Sequence, residues 1–367
     1  MRKLSRGCIR ILALSVLLSI SSCLCHARHG RITVGAERTE AYLPLLRDKK
    51  VAVVANQTSM IGNRHLVDSL LSLDVEVCKV FCPEHGFRGK AEAGVPVNDS
   101  VDALTRLPLI SLYGKNKKPS QSQLEGVDVV VFDLQDVGCR FYTYLSTLHY
   151  VMEACAQYGN IPVVVLDRPN PNGHYVDGPV LEPKYKSFVG MHPGVPVVYG
   201  MTIGEYAMMV NGERWLENGV CCSLTVIQLC NYTHDSVYHL PVAPSPNLRT
   251  PQAIALYPSL CLFEGTSVSV GRGTPYPFEV IGNNQEMDLR EVQVASKFDL
   301  RYLIGMYGRC QDKNGFFLKS NFFEKLAGNG QLRQQIVSGV DENNIRASWK
   351  EGIARFLSIR QKYLLYP

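Results

Sequence analysis

The sequence predicts an α/β protein with a mostly parallel β-sheet, followed by a smaller α+β domain. Short runs of β-branched residues alternate with longer amphipathic segments, which is typical of βαβ units. The short runs are almost continuously hydrophobic, as in strands buried on both faces. After the proline-rich segment 241–246, and beyond about residue 250, the alternation becomes irregular. We therefore place a first domain at residues 28–248 and a second at 249–367.

Six strands are expected in the first domain. Each is a short apolar run rich in valine, isoleucine and leucine, and polar or turn-forming residues follow it. The predicted strands are residues 51–55, 75–81, 109–112, 127–134, 161–166 and 224–229.

Helices are expected between these strands. Apolar positions at helical spacing predict one helix around residues 66–71 and another over 141–155, which ends before Gly159. A third helix is predicted over residues 202–217, with Thr202 as its N-cap. Glu205 follows three residues later, so the pair forms a capping box.

The first 27 residues have the layout of a secretory signal peptide. A basic stretch precedes an apolar run at residues 11–20, which is too short to span a bilayer. Residues 20–23 resemble a lipobox, which would place a lipid on Cys23, whereas residues 25–27 suit an ordinary signal peptidase. We favour the lipobox. The protein is therefore expected to be exported, and to be either periplasmic or a membrane-anchored lipoprotein.

The charge balance argues against a nucleic-acid partner. The whole chain has a formal net charge of +5, and four basic residues lie in the first ten, so 5 − 4 leaves about +1 beyond the predicted signal peptide. No basic tract remains that could contact phosphates. Contact with a membrane is expected only through the possible lipid on Cys23, and no oligomeric state is predicted.

Nine of the twelve cysteines lie beyond the predicted signal peptide, and several fall within apolar strand or helix patterns. We expect buried, free thiols that pack as small hydrophobic groups. Cys78, Cys82 and His85 could suggest a metal site. However, Cys78 lies inside a predicted strand and no second ligand pair has zinc spacing. No metal ion is predicted.

Polar residues follow five successive predicted strands. Because ligands of open α/β sheets bind outside the carboxyl ends of the strands, these residues are expected to share one site. One such loop alone would ordinarily be a solvated turn, but five in succession favour a site. In chain order the candidates are Asn56, Glu84, His85, Glu92, Tyr113, Asp136, Arg140, Tyr142, Asp167, Arg168 and Asn170.

The candidate residues suit sugar chemistry. No Gly-x-Gly-x-x-Gly follows the first strand, and neither a Walker-type motif nor a Gly-x-Ser-x-Gly elbow occurs, so no cofactor is predicted. A glycosidase needs one carboxylic acid to protonate the leaving oxygen and further groups to stabilise an oxocarbenium-like centre or activate water. We expect Asp133 to be structural because it ends a strand. The available carboxylates are Glu84, Glu92, Asp133, Asp136, Asp167 and Glu264.

Residues 81–89, Phe-Cys-Pro-Glu-His-Gly-Phe-Arg-Gly, resemble a Phe-Gly-Pro-Glu-His-Gly segment of the NamZ family of exo-β-N-acetylmuramidases, formerly the domain of unknown function DUF1343. The likeness extends from about residue 50 to the C-terminus in a consistent order, which chance explains poorly. Cys82 stands where the family usually has glycine. Further similar segments are residues 111–115, 132–138, 140–144, 166–171, 187–191, 244–248, 263–266 and 271–274.

This resemblance implies a Rossmann-like domain, a smaller C-terminal domain and a site in the cleft between them. It also implies a glycosidase that releases N-acetylmuramic acid (MurNAc) from the non-reducing end of β-1,4-linked MurNAc-GlcNAc peptidoglycan fragments, where GlcNAc is N-acetylglucosamine. The proposed catalytic glutamate of the family falls on Glu84, which would be the general acid. Relatives often carry other polar residues at the position of Glu92, so Glu92 is not expected to be the essential partner.

The other catalytic roles are hypotheses. His85 could orient Glu84, contact the sugar, or serve only as a hydrogen-bond donor within the turn. The second catalytic group is a choice among Asp136, Asp167 and Glu92. We favour Asp136, because it precedes a glycine and the start of a helix at the predicted mouth of the cleft.

The substrate-binding roles are also hypotheses. The lactyl carboxylate of MurNAc needs a cation, and Arg140, Arg168 and Arg272 are the candidates because a guanidinium can pair with a carboxylate through two bonds. Tyr142 or Tyr144 could stack on a sugar face. The asparagines could equally form turns. The remaining candidates for sugar contacts are Asn56, Glu92, Tyr113, Asp167, Asn170, Asn247 and Glu264.

Two other functions stay open from the sequence. A non-catalytic surface lipoprotein that captures muropeptides or glycans would keep the arginine and tyrosine contacts without needing Glu84. An amide or ester hydrolase would use a metal ion and would be inhibited by a chelator.

Overall fold

The computed structural model describes residues 30–88 and 99–367. The predicted signal peptide, with Cys23, and the candidate Glu92 lie outside these residues. No helix within the described part of the chain is long and apolar enough to cross a membrane.

Within residues 30–88 and 99–367, the strands form one seven-stranded sheet and three two-stranded ribbons. The strands are β1 (Val51–Ala55), β2 (Met60–Ile61), β3 (Arg64–His65), β4 (Val77–Cys82), β5 (Ser100–Val101), β6 (Pro108–Ser111), β7 (Val129–Asp133), β8 (Val163–Leu166), β9 (Asp177–Val180), β10 (Pro196–Val198), β11 (Leu224–Ile227), β12 (Val280–Ile281) and β13 (Met287–Asp288).

The large sheet has the order β11-β8-β7-β1-β4-β6-β5, with β1 at its centre. All neighbours in it are parallel except β5, which pairs antiparallel with β6 at one edge. The chain therefore builds outward from β1 through β4 to β6, and then returns to build the other half through β7, β8 and β11. This is the Rossmann-like sheet that the family resemblance implies.

The helices cover both faces of the sheet and form most of the C-terminal part. The helices are α1 (Thr39–Leu46), α2 (Leu66–Ser72), α3 (Gln121–Leu124), α4 (Tyr144–Gln157), α5 (Ile203–Gly212), α6 (Pro251–Leu260), α7 (Arg301–Arg309), α8 (Lys313–Phe316), α9 (Phe322–Ala327), α10 (Gln331–Val337), α11 (Glu342–Ala347) and α12 (Lys350–Arg360).

Strand β1 shows why the sheet is buried on both faces. Its side chains alternate: Val51, Val53 and Ala55 pack in the core with α1 and α2, whereas Ala52 and Val54 pack in the core with α4, α5 and the C-terminal helices. All five side chains are fully buried. A strand that buries both faces must be apolar at every position, which is the pattern read from the sequence.

The six predicted strands are β1, β4, β6, β7, β8 and β11, and each observed end lies within two residues of the predicted one. The capping box of α5 is also confirmed, since the Glu205 amide donates to Thr202 Oγ1 (3.2 Å) and the Thr202 amide donates to Glu205 Oε2 (2.9 Å). The predicted end of this helix at residue 217 is wrong. The helix ends at Gly212 because Arg214 adopts a left-handed backbone conformation (φ 55°) that turns the chain away.

The C-terminal part is mostly helical, and β12 and β13 form its ribbon among the described residues. It packs on the face of the sheet that carries α4. Leu148 of α4, Leu260 of α6 and Phe323 of α9 belong to one continuous hydrophobic core. The chain therefore places the C-terminal part beside the loops that follow β4, β6 and β7.

Candidate active site

The turn that follows β4 directs a glutamate side chain away from the sheet. His85 and Gly86 both have left-handed backbone conformations, with φ of 73°. The Gly86 amide closes the turn by donating to the carbonyl of Pro83 (3.1 Å). Residues other than glycine adopt this conformation uncommonly, and such strained backbone is often found at functional sites. Glu84 and His85 both line the adjoining cleft.

This cleft has a volume of about 340 Å³ and lies between the sheet loops and the C-terminal part. The sheet side contributes polar and aromatic groups, and the C-terminal side contributes a second carboxylate and an arginine. Its lining residues are Glu84, His85, Tyr113, Phe141, Tyr142, Thr143, Val189, Ser245, Asn247, Leu248, Tyr257, Cys261, Glu264, Arg272, Phe278, Phe322 and Leu326.

A larger pocket of about 640 Å³ lies elsewhere, and Arg31, Glu37, Arg168 and Tyr238 are among its lining residues. Its charged groups already pair within the protein, Arg31 with Glu37 and Arg168 with Asp133. The smaller cleft is the better candidate because it brings two carboxylates and a guanidinium together.

Two hydroxyl groups hold the carboxylate of Glu84. Thr143 Oγ1 donates to Glu84 Oε2 (2.8 Å), and the Tyr113 hydroxyl also hydrogen-bonds to Glu84. Burial, followed by the charge of Glu84, raises the pKa of Tyr113, so this phenol remains a proton donor. Thr143 occupies the N-cap of α4, but its side chain caps no backbone amide there. Its hydroxyl is therefore available to orient Glu84.

A second carboxylate enters the cleft from the C-terminal part. Glu264 lies in the 3₁₀ turn Cys261–Gly265, and Arg272 Nε donates to its Oε1 (2.9 Å), as does a terminal nitrogen of the same guanidinium. Burial raises the pKa of Glu264, the Arg272 guanidinium opposes this shift, and the charge of Glu84 adds to it. The two glutamates are thus close enough to interact electrostatically.

Tyr142 and Tyr144 form an edge-to-face pair with ring centroids 4.7 Å apart. Tyr142 lines the cleft, but its hydroxyl donates to the carbonyl of Pro244 (2.8 Å) and its ring is buried. Tyr144 accepts a hydrogen bond from Asn56 Nδ2 (2.6 Å). Asn56 is fully buried and supports Tyr144 instead of lining the cleft, which differs from the sequence-based hypothesis.

Arg140 and Arg168 do not reach the cleft, so the structure does not support them as partners of the lactyl carboxylate. The guanidinium of Arg140 is buried and donates to the backbone carbonyls of Pro179 (3.1 Å), Val195 (2.8 Å) and Leu326 (2.8 Å). Burial lowers the pKa of Arg140 to about 9. It therefore links the sheet domain to α9.

Arg168 forms a buried, two-bond ion pair with Asp133, with N···O distances of 2.6 and 2.8 Å. The expectation that Asp133 is structural agrees with this geometry. Among the three arginine candidates, Arg272 lines the cleft.

Asp136 also lies away from the cleft lining. It is buried under the turn that leads to α4, where its Oδ2 accepts from the amide of Gly138 (2.7 Å) and from the hydroxyl of Tyr199. Burial raises the pKa of Asp136 to about 7. Asn170 packs against the same turn, since a Cβ on Gly138 would lie 2.2 Å from Asn170 Oδ1. The glycine turn that favoured Asp136 as a catalytic group is therefore a turn that the Asp136 side chain stabilises.

Asp167 is fully buried at the end of β8. Its carboxylate accepts from the hydroxyls of Thr202 (2.7 Å) and Tyr366 (2.6 Å) and from the Gly204 amide (2.8 Å). Burial raises the pKa of Asp167 to about 7. These bonds join β8 to α5 and to the C-terminal segment, so Asp167 does not face the cleft as the sequence-based hypothesis requires.

No group of three or more histidine, cysteine or acidic side chains is arranged to hold a metal ion in residues 30–88 and 99–367. Cys82, Cys139, Cys155 and Cys261 are buried free thiols, as the apolar patterns predict.

The sequence-based hypotheses left out Thr143, although it stands at the start of a predicted helix, where threonine is common as a cap. They also left out the apolar walls of the cleft, Phe141, Tyr257 and Phe278, which no polar motif indicates. The aromatic rings of Phe141 and Tyr257 meet edge to face with centroids 5.4 Å apart. This contact joins the loop after β7 to α6 within the lining of the cleft.

Known proteins resemble this chain over nearly its whole length. The family model described as exo-beta-N-acetylmuramidase NamZ, N-terminal, matches residues 51–252, and its C-terminal counterpart matches residues 255–301 and 286–366. The peptidoglycan beta-N-acetylmuramidase NamZ of Bacillus subtilis (strain 168) is 37% identical over an alignment that covers 89% of each protein.

Two solved structures of DUF1343 family proteins from Bacteroides fragilis NCTC 9343 share the fold. One has a TM-score of 0.84 at 42% identity, and the second has a TM-score of 0.79 at 27% identity. Each alignment covers 92% of this chain and 99% of the solved chain. The resemblance first seen in the Pro83-Glu84-His85-Gly86 motif therefore extends through both parts of the molecule, and the chain belongs to the NamZ family of exo-β-N-acetylmuramidases.

Proposed function

We propose that this protein is an exo-β-N-acetylmuramidase that releases MurNAc from the non-reducing end of β-1,4-linked MurNAc-GlcNAc fragments of peptidoglycan. The observation that carries the proposal is the shared cleft of Glu84, Glu264 and Arg272. Membership of the NamZ family and the activity named for the Bacillus subtilis relative support it.

Glu84 acts as the general acid in this proposal. The C1–O4 bond between MurNAc and GlcNAc breaks, and the proton of Glu84 moves to O4 of the departing GlcNAc. The oxygen of a water molecule bonds to C1, and its proton passes to a carboxylate, so atoms and charge balance. Thr143 and Tyr113 hold the Glu84 side chain so that it meets the glycosidic oxygen.

Glu264 replaces Asp136 as the companion carboxylate. It lines the cleft, whereas Asp136 lies beneath a turn. The guanidinium of Arg272 opposes the rise in the pKa of Glu264 that burial causes, and so favours its ionised form. An ionised Glu264 can stabilise the oxocarbenium-like centre or activate water.

Arg272 is the proposed partner of the lactyl carboxylate of MurNAc. Its side chain is 39% exposed, and its bonds to Glu264 use Nε and one terminal nitrogen. A carboxylate of the substrate can therefore approach the other terminal nitrogen from the cleft. A charge-assisted hydrogen bond of this kind would distinguish MurNAc from GlcNAc in the cleft.

The acid role can be tested by comparing two substrates. MurNAc-GlcNAc has a leaving alcohol that needs a proton, whereas 4-nitrophenyl β-MurNAc has a leaving phenolate that does not. We expect Glu84→Gln to lower kcat/KM for the disaccharide by about 10²–10⁴-fold and to affect the nitrophenyl substrate far less. Glu213→Gln, outside the cleft, is the matched control and should cleave both substrates normally.

An unchanged rate of disaccharide cleavage by Glu84→Gln would show that the acid role is wrong. If the wild-type protein binds MurNAc-GlcNAc but cleaves neither substrate, it is a muropeptide-binding protein. Inhibition by a chelator would instead support a metal-dependent hydrolase.

We further propose that the protein is exported and that Cys23 carries a lipid. The basic stretch and short apolar run of residues 1–20, followed by the lipobox-like segment, support this proposal. Expression in a bacterial host with labelled palmitate should label the protein, and Cys23→Ser should abolish the label. Labelling that survives this substitution would contradict the lipid assignment.

A further inference from the structure

An aromatic surface with one lysine adjoins the cleft, and we call it the rim. It consists of Tyr113, Lys117, Tyr150 and Phe188, all half-buried. The rings of Tyr150 and Phe188 are nearly parallel, at 13° with centroids 6.2 Å apart, and the ring of Tyr113 is tilted by 52° to that of Phe188, also with centroids 6.2 Å apart. Lys117 Nζ lies 4.7 Å from the centroid of the Phe188 ring.

The rim is continuous with the cleft and is held in place by backbone contacts. Tyr113 belongs to both surfaces, and Val189, next to Phe188 in the chain, lines the cleft. The carbonyl of Phe188 accepts a hydrogen bond from Ser146 Oγ of α4 (2.7 Å). Ser187 and Gly190 close the surrounding turn through two backbone hydrogen bonds of 2.8 and 3.0 Å. A bound chain that leaves the cleft on this side would therefore meet a preformed surface.

Lys117 gives the rim a positive charge. Lys118, the next residue after Lys117, pairs with Glu153 (2.7 Å) and bonds to Gln157 (2.7 Å). Lys117 forms no ion pair with a carboxylate in the described part of the chain, and its ammonium contacts the aromatic face instead. An ammonium placed in this way can exchange its contact with the ring for a contact with an anion.

Peptidoglycan glycan strands alternate MurNAc and GlcNAc, so a carboxylate occurs on every second sugar. With the first MurNAc at Glu84 and Arg272, the second sugar is GlcNAc and the third is again MurNAc. We propose that the rim binds this third sugar, with its ring on Phe188 and its lactyl carboxylate on Lys117. This inference rests on the proposed function and extends it to a preference for chains longer than a disaccharide.

The test compares kcat/KM for the disaccharide MurNAc-GlcNAc with that for the tetrasaccharide (MurNAc-GlcNAc)₂. We expect the wild-type protein to prefer the tetrasaccharide by about tenfold, which corresponds to one charge-assisted hydrogen bond. Lys117→Met should remove most of this preference and leave disaccharide cleavage within about twofold of wild type. Phe188→Ala should also lower the preference for the tetrasaccharide, and its melting temperature checks that the variant is folded.

Two controls identify the source of the effect. Lys184 also lies over an aromatic ring, that of Tyr185 at 5.6 Å, but Tyr185 lines a separate pocket. Lys184→Met should therefore keep the preference for the tetrasaccharide. A tetrasaccharide whose third-sugar carboxylate is a methyl ester should be cleaved by the wild-type protein as slowly as the free acid is cleaved by Lys117→Met.

Equal wild-type rates on the disaccharide and the tetrasaccharide would overturn the inference, as would equal losses on both substrates in Lys117→Met. The same holds if Lys184→Met reproduces the effect, or if the ester is cleaved as fast as the free acid. If the wild-type protein cleaves neither substrate, the proposed function itself fails.

Discussion

The hydroxyl of Thr143 offers a sharp test of how the cleft presents its acid. Thr143→Val removes the 2.8 Å hydrogen bond to Glu84 Oε2 while keeping the shape of the side chain. As Glu84 gives up its proton it becomes a carboxylate, and a hydrogen bond to a charged group contributes about 1.5–3 kcal/mol, where about 1.4 kcal/mol corresponds to a factor of ten in rate. We therefore expect kcat/KM for MurNAc-GlcNAc to fall about 10–100-fold.

The stability of this variant separates catalysis from folding. The Thr143 side chain caps no amide of α4, so the free energy of unfolding should change by no more than about 0.5 kcal/mol. Thr143→Ser keeps the hydroxyl and should retain activity within about threefold of wild type, as a control for the lost methyl group. A Thr143→Val protein with wild-type kcat/KM and wild-type stability would refute the claim that this hydroxyl positions Glu84.

Three further predictions concern two buried ionisable groups, Arg140 and Asp136, and Arg272 in the cleft. Arg140→Met removes donors from three buried carbonyls and should lower the free energy of unfolding by about 3–5 kcal/mol, measured by urea denaturation. The folded-state pKa of Asp136 is raised from 3.8 to about 7, so the folded protein holds the extra proton and its stability should fall as pH rises between these values, by at most about 4 kcal/mol. Asp136→Asn should reduce this slope, and an unchanged slope would contradict the assignment. Arg272→Met should lower kcat/KM for 4-nitrophenyl β-MurNAc about 10–100-fold and move the acidic limb of its pH profile upward, because the guanidinium no longer opposes the raised pKa of Glu264.

The sequence predicted the sheet well because its strands are defined by local hydrophobic pattern. Every position of β1 is apolar because both faces of the strand are covered, and this requirement is visible in five consecutive residues. The end of α5 could not be predicted in the same way. The Arg214 amide donates to the carbonyl of Asn211 (3.2 Å) and the Trp215 amide to that of Val210 (3.0 Å), but arginine has no intrinsic preference for the left-handed conformation between them.

The site was predicted only in part because contacts between distant parts of the chain determine which strand-end side chains face the cleft. Glu84 and Tyr113 follow strands and reach the cleft, as strand-end convergence requires. Asp167 and Arg168 also follow a strand, but their side chains bind Thr202 and Asp133 inside the protein. A list of strand-end residues does not reveal which charges are satisfied within the protein, because those partners lie far away in the sequence.

Glu264 shows the opposite case. The sequence named it as a candidate carboxylate and sugar contact, yet no local motif linked it to Glu84. Only the packing of the C-terminal part against α4 brings the two glutamates into one cleft. The identity of the companion carboxylate therefore follows from the tertiary structure and not from a local motif.

A crystal structure of Glu84→Gln with MurNAc-GlcNAc bound would test the central claim most directly. We expect the glycosidic oxygen within hydrogen-bonding distance of the side chain at position 84 and the lactyl carboxylate against Arg272. Glu264 should face C1 of MurNAc. A disaccharide bound in the pocket of Arg31 and Arg168, or in the cleft with its glycosidic oxygen away from position 84, would contradict the account.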